Sequence, residues 1–402
     1  MAPVNAMRPG PGPWWFRRSE GAHVRKGKTI ATAAAVSGLM VLAGCGSSGS
    51  NSSSSASTTA SASKAASVTA FGGMSSLVAA AKKEGTLNVI TLPANWANYG
   101  AIMKDFTAKY GIKINDANPD GSSQDEINAM QSLKGQSRAP DVLDMGTAFA
   151  IKADQEGLLA PYKVASWGDI PTANKASDGT WYGDYGGYVA IGYDSKKVKV
   201  APTSFADLLK PAYKNQVGIN GNPTQASAAF SAVYAAALAN GGSLSNIEPG
   251  ISYFAKLHQE GNFVPVAAGP TTVESGQTPI VIWWDYLLAS EVGSAVPSFK
   301  IVIPSDASYA AYYDQAISKT APDPAAARLW EEYLYSVAGQ NLWLEGKARP
   351  VELPTLISNG TVNKAANAAL PAAPSGGLNF PTQAQESAAE TVVAQQWASK
   401  IG

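Results

Sequence analysis

From Leu87 onward, short apolar runs alternate with amphipathic stretches, and this alternation limits the fold more than any other feature of the chain. Leu87-Asn88-Val89-Ile90 reads as a strand. Residues Ala97 to Tyr110 read as a helix with Ile102, Met103, Phe106 and Tyr110 on one face, closed by Gly111. Ile112-Lys113-Ile114 returns as a strand, and Ser123-Gln124-Asp125-Glu126 reads as a capping box opening the next helix. Further strands are expected at Asp141–Met145, Tyr188–Tyr193, Val217–Ile219, Ile280–Trp284, Ile301–Ile303 and Ala316–Ser318. Between them fall helices after Phe149, under Thr203, from Ala226 to Ala239 and after Asp323-Pro324. Ile280–Trp284 is apolar throughout, as expected of a strand covered on both faces. Such a series predicts open α/β sheets, and a body of this length predicts two of them.

The N-terminal segment is of another kind. Arg25, Lys26 and Lys28 precede an uncharged, mostly apolar stretch from Thr29 to Gly44, too short for the roughly 20 residues that span a bilayer. It ends in Val41-Leu42-Ala43-Gly44-Cys45, which holds the only cysteine of the chain. These residues resemble the export signal and lipobox of bacterial lipoproteins, which implies that Cys45 is lipidated and begins the mature protein. Residues 1–44 are then a signal peptide and 45–68 a flexible tether, rich in Gly, Ser and Ala with Lys64 as its one charge. As a random coil, that tether would span roughly 25 Å. The expected location is extracytoplasmic, anchored to the cell membrane through Cys45.

Charge and cysteine content exclude several classes. Residues 1–44 carry six basic residues against Glu20, so the mature portion has 24 basic and 29 acidic residues, a net of −5. A mildly acidic body lacks the basic face that nucleic acid requires. With one cysteine, no intrachain disulfide supports the fold. His258 is the only histidine after residue 44 and falls on the polar edge of a helix, so neither a Ser-His-Asp arrangement nor a His/Cys zinc site is available. A glycosidase working through two carboxylates stays open as the alternative of another class, although no pair stands out.

Several segments, in order, resemble bacterial extracellular solute-binding proteins of ABC importers. They are Lys82-Lys83-Glu84-Gly85-Thr86-Leu87-Asn88-Val89, Phe106 to Ile114, Ala139 to Asp144, Ile191 to Val198, Pro202 to Lys214, and Ala316-Ile317-Ser318-Lys319 with Pro322-Asp323-Pro324. The branch resembled binds polyamines, ferric ion, thiamine and phosphonates. The resemblance implies a type II periplasmic-binding-protein-like fold, α/β, with two open lobes joined by crossover strands. It places 69–190 with 286–335 in lobe 1, and 191–285 with 336–402 in lobe 2. It also implies a monomer that captures a small solute between its lobes and passes it to an ABC permease in the membrane, with no catalytic residue, cofactor or resident metal.

Candidate ligand-binding residues follow from the ends of the strands, where open α/β sheets hold ligands. The loop Asn95-Trp96-Ala97-Asn98-Tyr99 resembles an Asn-Trp-x-x-Tyr of polyamine binders, pointing to Trp96 and Tyr99. Thr147 and Phe149 follow the strand ending at Met145, where that branch supplies a hydroxyl and a ring. Trp283-Trp284-Asp285-Tyr286 closes an apolar strand. A carboxylate beside an indole face is suited to an ammonium group, and Trp283-x-Asp285 resembles the Trp-x-Asp of polyamine binders. Asp285 as a helix N-cap is the alternative. Tyr286 belongs to the same group. Asn222, Thr224 and Gln225 lie in a glycine-led turn into a helix, where acidic residues are placed in polyamine binders; such a turn, with Ser122 and Ser123, can instead hold an anion. Tyr313, in Tyr312-Tyr313, resembles part of a ferric binder's tyrosine pair but falls in an unexpected segment, and iron would want a denser set of anionic ligands. The expected solute is therefore amine-bearing and polyamine-like, with a phosphonate, another zwitterion or ferric ion as alternatives.

Overall fold

A computed structural model describes residues 62–372 and 379–401. The expected signal peptide, Cys45 and the expected tether up to residue 61 lie outside the described residues. Two open α/β lobes share one long strand. Strand β1 (Thr86–Ile90) pairs in parallel with β2 (Lys113–Ala117). Asp141 ties this pair to β3 (Val142–Gly146): its N–H donates to Asn88 O at 2.8 Å and its Oδ2 accepts from Asn88 N at 2.7 Å. Beyond β3 lie, in space, β10 (Ala310–Ser318) and the first half of β5 (Tyr182–Asp194), completing lobe 1 with β4 (Leu159–Ala160).

The second half of β5 carries lobe 2. Residues Tyr182 to Tyr188 pair with β10, whereas Val189 to Tyr193 pair with β8 (Ile280–Trp284), and β9 (Phe299–Val302) covers the other edge. Strands β6 (Val217–Ile219) and β7 (Phe263–Ala267) extend that sheet in parallel with β8. The switch of partners falls between Tyr188 and Val189. Gly187 is required here by close approach, since a Cβ on it would lie 2.4 Å from Asp285 Oδ1 and 2.5 Å from the Tyr286 ring.

Each sheet buries its faces under helices. Helices α1 (Met74–Glu84), α2 (Tyr99–Tyr110), α3 (Ser123–Ser132) and α4 (Thr147–Gln155) belong to lobe 1. In lobe 2, α5 (Ser227–Ala239) is buried from Ser227 to Ala237, which explains its alanine-rich composition: small side chains let neighbouring elements pack on every side. It packs on α6 (Glu248–Gln259). Helix α7 (Pro324–Leu334) opens with proline at its first turn and receives the Glu84 carboxylate, which accepts from Ala325 N and Ala326 N at 2.9 and 2.7 Å. Helix α8 (Val337–Glu345) follows, and α9 (Gln383–Ile401) straps the two lobes together. Lys152 of α4 pairs with Glu390 at 3.7 Å, while Gln396 donates to Glu248 of α6 at 2.8 Å.

Strand pairing moves two pieces relative to the division expected from sequence. Phe299–Val302 lies against the lobe 2 half of β5, and β11 (Arg349–Pro350) lies against the lobe 1 half. Both attach to edges of β5 that are invisible in the linear chain. From residue 62 the segment expected to be tether is part of the folded body. Ala62 and Ala65 are buried, and the Arg328 guanidinium holds this segment by donating to Ala65 O at 2.7 Å and Ser63 O at 3.0 Å.

Candidate functional site

A cavity of about 500 Å³ opens between the lobes, at the C-terminal ends of β3 and β8. From lobe 1, the loop after β1 brings Trp96 into its wall through a short 3-10 turn, Trp96–Asn98. Ala97 and Asn98 adopt positive φ (43° and 73°) there, held by Asn98 Nδ2 donating to Leu342 O at 2.9 Å. The Trp96 ring meets Trp283 edge-on at 5.8 Å and Tyr313 at 5.6 Å. Its Nε1–H donates to the Tyr185 hydroxyl at 2.7 Å, and that hydroxyl donates to Asp144 Oδ2 at 2.7 Å.

Asp144 is the electrostatic centre of this wall. It is 5 % exposed, on β3, and its backbone N–H donates to Glu126 Oε2 at 2.9 Å. Glu126 reaches it from the first turn of α3, whose N-cap is Ser122; Ser122 and Asp125 form the capping box, one residue earlier than the sequence suggests. Burial pushes the Asp144 carboxyl up to about 7, opposed by hydrogen bonds from Tyr185 and Tyr99. Burial, with the Asp144 charge adding to it, raises Glu126 well above the ordinary carboxylate range. Across the cleft, burial and then repulsion from Asp120 raise Glu291 to about 7, and its Oε1 has no hydrogen-bond partner. Asp120 and Asp125 complete a set of five acidic residues on the cavity wall, and among the described residues no lysine, arginine or histidine joins them.

The lobe 2 wall is mainly neutral. Asn220, Asn222 and Gln225 line it, followed by Ala226, Ser227 and Ala228 at the start of α5. That helix begins without a side-chain cap, so its first N–H groups face the cavity end unsatisfied by a side chain. Among the described residues, no group of three or more His, Cys, Asp or Glu is placed to hold a metal ion.

Of the residues singled out from sequence, Trp96, Ser122, Ser123, Asn222, Gln225, Trp283 and Tyr313 line this cavity. The others do not. Tyr99 is fully buried behind the wall, its hydroxyl accepting from Gln315 at 3.0 Å. Thr147 and Phe149 lie in α4, with Phe149 packed into the core. Thr224 is tied to its own turn by Asn222. Tyr286 is 1 % exposed against Tyr185. Asp285 has both oxygens committed: Oδ1 accepts from Tyr188 N and Oδ2 from Arg349 Nη1, each at 2.8 Å. Burial raises its pKa while Arg349 pulls it back, and the pair stands outside the cavity wall. The acidic residues that do line the cavity were missed. Asp144 carried a signal, a charge inside an otherwise apolar strand, and so did Glu126, beside Ile127 on the inward face of α3; Asp120 and Glu291 carried none.

The model of the bacterial extracellular solute-binding protein family matches residues 137–376. The chain belongs to this family. Solved structures agree on the fold of this solute-binding protein. It superposes on the periplasmic binding protein AfuA from Actinobacillus pleuropneumoniae, solved with fructose-6-phosphate, with a TM-score of 0.63 at 19% identity, covering 79% of this chain and 98% of that one. Iron-bound HitA from Pseudomonas aeruginosa gives 0.59 at 20% identity, covering 78% and 99%. The spermidine/putrescine ABC transporter substrate-binding protein PotD from Streptococcus pneumoniae gives 0.54 at 18% identity, covering 79% and 99%. The fold is thus that of type II periplasmic binding proteins. Membership implies an extracytoplasmic protein of an ABC importer that binds a small solute and delivers it to a permease, and these relatives are binding proteins rather than enzymes.

Proposed function

We propose that this solute-binding protein captures a small, amine-bearing cationic solute of polyamine-like character, performs no chemistry on it, and works as a monomer anchored through lipidated Cys45. One observation carries the choice of ligand: among the described residues, five carboxylic side chains and no basic one line a cavity of about 500 Å³. Buried carboxylates without a countercharge are costly to ionise, and an ammonium group relieves that cost while donating hydrogen bonds to them. Trp96 and Trp283 supply the ring faces and edges that accommodate the alkyl stem and the cation. A phosphate would meet this same wall as a like charge, and ferric ion would lack a compact set of hard ligands.

A second reading, a zwitterion, is favoured by the uncapped start of α5 at the cavity, where an anionic group is stabilised. Trp283 adds to it: 2 % exposed and lining the cavity, it has an Nε1–H with no acceptor. Isothermal titration against putrescine, spermidine, ω-amino acids, fructose-6-phosphate and ferric citrate separates these readings. Heat with the diamines and triamine is the expected result. Binding confined to the phosphate or iron salts would reject the cationic ligand, and cleavage of any glycoside substrate would reject the binding role itself.

A further inference from the structure

Gly146 and Ser227 meet across the cleft at a distance that admits no side chain on the first. Gly146 ends β3 on lobe 1, and Ser227 opens α5 on lobe 2. A Cβ on Gly146 would lie 1.8 Å from Ser227 Oγ and 2.2 Å from Ser227 Cβ, but 3.5 Å from Ser227 Cα. The backbone of Gly146 does not itself ask for glycine, because its φ of −66° and ψ of 149° are open to every residue. The requirement is therefore steric, and it comes entirely from the opposite lobe.

The surroundings place this contact at the rim of the ligand cavity. Ser227 lines the cavity, as does Tyr313, which stands opposite Gly146 in the β3–β10 register. One residue beyond Ser123, whose Oγ accepts from Gly146 N at 3.3 Å, Gln124 N–H donates to Gln225 O of the lobe 2 turn, also at 3.3 Å. Backbone thus meets backbone beside the glycine, and the lobes touch without an intervening long side chain.

We infer that the Gly146–Ser227 contact is the stop that sets how far the lobes close, and so tunes affinity and the size of solute retained. It rests on the reading of the cavity as the ligand cleft. Neither residue needs to touch the ligand: both act by positioning the two walls. A methyl group added at Gly146 wedges the start of α5 away from β3, leaving each lobe's own packing intact. Removing the Ser227 side chain takes away both conflicting atoms and leaves an ordinary contact to its Cα.

The test uses the full chain and the tightest-binding amine of the titration series. Gly146→Ala weakens binding about tenfold or more, at the lower end of what overpacking a close contact costs, mainly through faster dissociation. Ser227→Gly placed in the same chain restores binding towards that of the unmutated protein. Small-angle scattering reads closure independently: with saturating ligand, Gly146→Ala keeps a larger radius of gyration than the unmutated protein, and the double variant does not. Unchanged affinity in Gly146→Ala, or a double variant no better than the single one, overturns the inference. Should Gly146→Ala fail to fold, Ser227→Val enlarges the same contact from the other side, and normal affinity in that variant overturns it equally. If the unmutated protein binds no amine, the functional proposal fails instead, and the scattering of the ligand-free variants still decides whether this contact limits closure.

Discussion

Asp285 and Asp144 stand near the C-terminal ends of buried strands, 1 % and 5 % exposed, yet they occupy opposite electrostatic situations. At the hinge side, Asp285 is met by the Arg349 guanidinium, which also stacks over the Tyr188 ring at 3.8 Å and donates to Pro371 O at 2.9 Å. That region is electrically closed and serves the joint between β5, β8 and β11. The Asp144 carboxylate, at the cavity, receives only hydroxyl groups, and no ion pair reaches it among the described residues. Two aspartates beside tryptophan and tyrosine therefore do different work: one holds structure, the other leaves a charge waiting. Burial alone does not mark a binding site. What sets Asp144 apart from Asp285 is that it has no countercharge and also stands in the cavity wall.

The largest effect expected from this contrast is on stability. Arg349→Met leaves Asp285 buried without its partner and lowers unfolding free energy by about 3–5 kcal/mol in urea denaturation. A loss below 1 kcal/mol would mean that the two regions do not differ as described. Asp144→Asn is the converse. It costs little fold stability, since its charge has no partner to lose, but weakens binding of a cationic amine by about 2–5 kcal/mol in calorimetry. Equal affinity in this variant would remove Asp144 from the site.

Proton linkage sharpens the same comparison with a smaller effect. Asp144 and Glu291 titrate near 7 in the folded chain, against about 4 when unfolded. Between those values the folded form holds more protons, so each group contributes stability at low pH that is lost as pH rises towards about 7. An arriving cation favours the ionised carboxylates and expels those protons. Affinity therefore rises with pH from about 5.5 to about 8, and calorimetry in buffers of different ionisation heat detects proton release below about 7. Asp144→Asn flattens that profile; Asp285, already paired, contributes nothing to it. The smallest effect is expected at Trp96→Phe, which keeps the ring but deletes the hydrogen bond to Tyr185, costing about 1 kcal/mol of affinity.

The strand and helix order is legible in the sequence because apolar period and cap residues are local signals: Gly111 ends α2, and Pro324 opens α7. Trp96 and Trp283 are legible for the same reason, as aromatics at strand ends that fold topology brings to the cleft. Asp285 misleads because its partner lies 64 residues downstream on a two-residue strand that no pattern announces. The acidic wall is illegible in the main because it is assembled from separated segments. Asp120 sits in an ordinary Pro-Asp-Gly turn, and Glu291 in a helical turn after β8, and only tertiary structure sets them against one another.

Arg328 clasps the carbonyls of Ser63 and Ala65, and Ser67 bridges to Lys163, all on lobe 1 and behind the sheet rather than beside the joint. Mechanical load entering from the N-terminal side is thereby delivered to α7 and its sheet as a rigid mount. Tugging on the chain there is felt first by lobe 1, and reaches lobe 2 through the shared strand β5 and the strap α9.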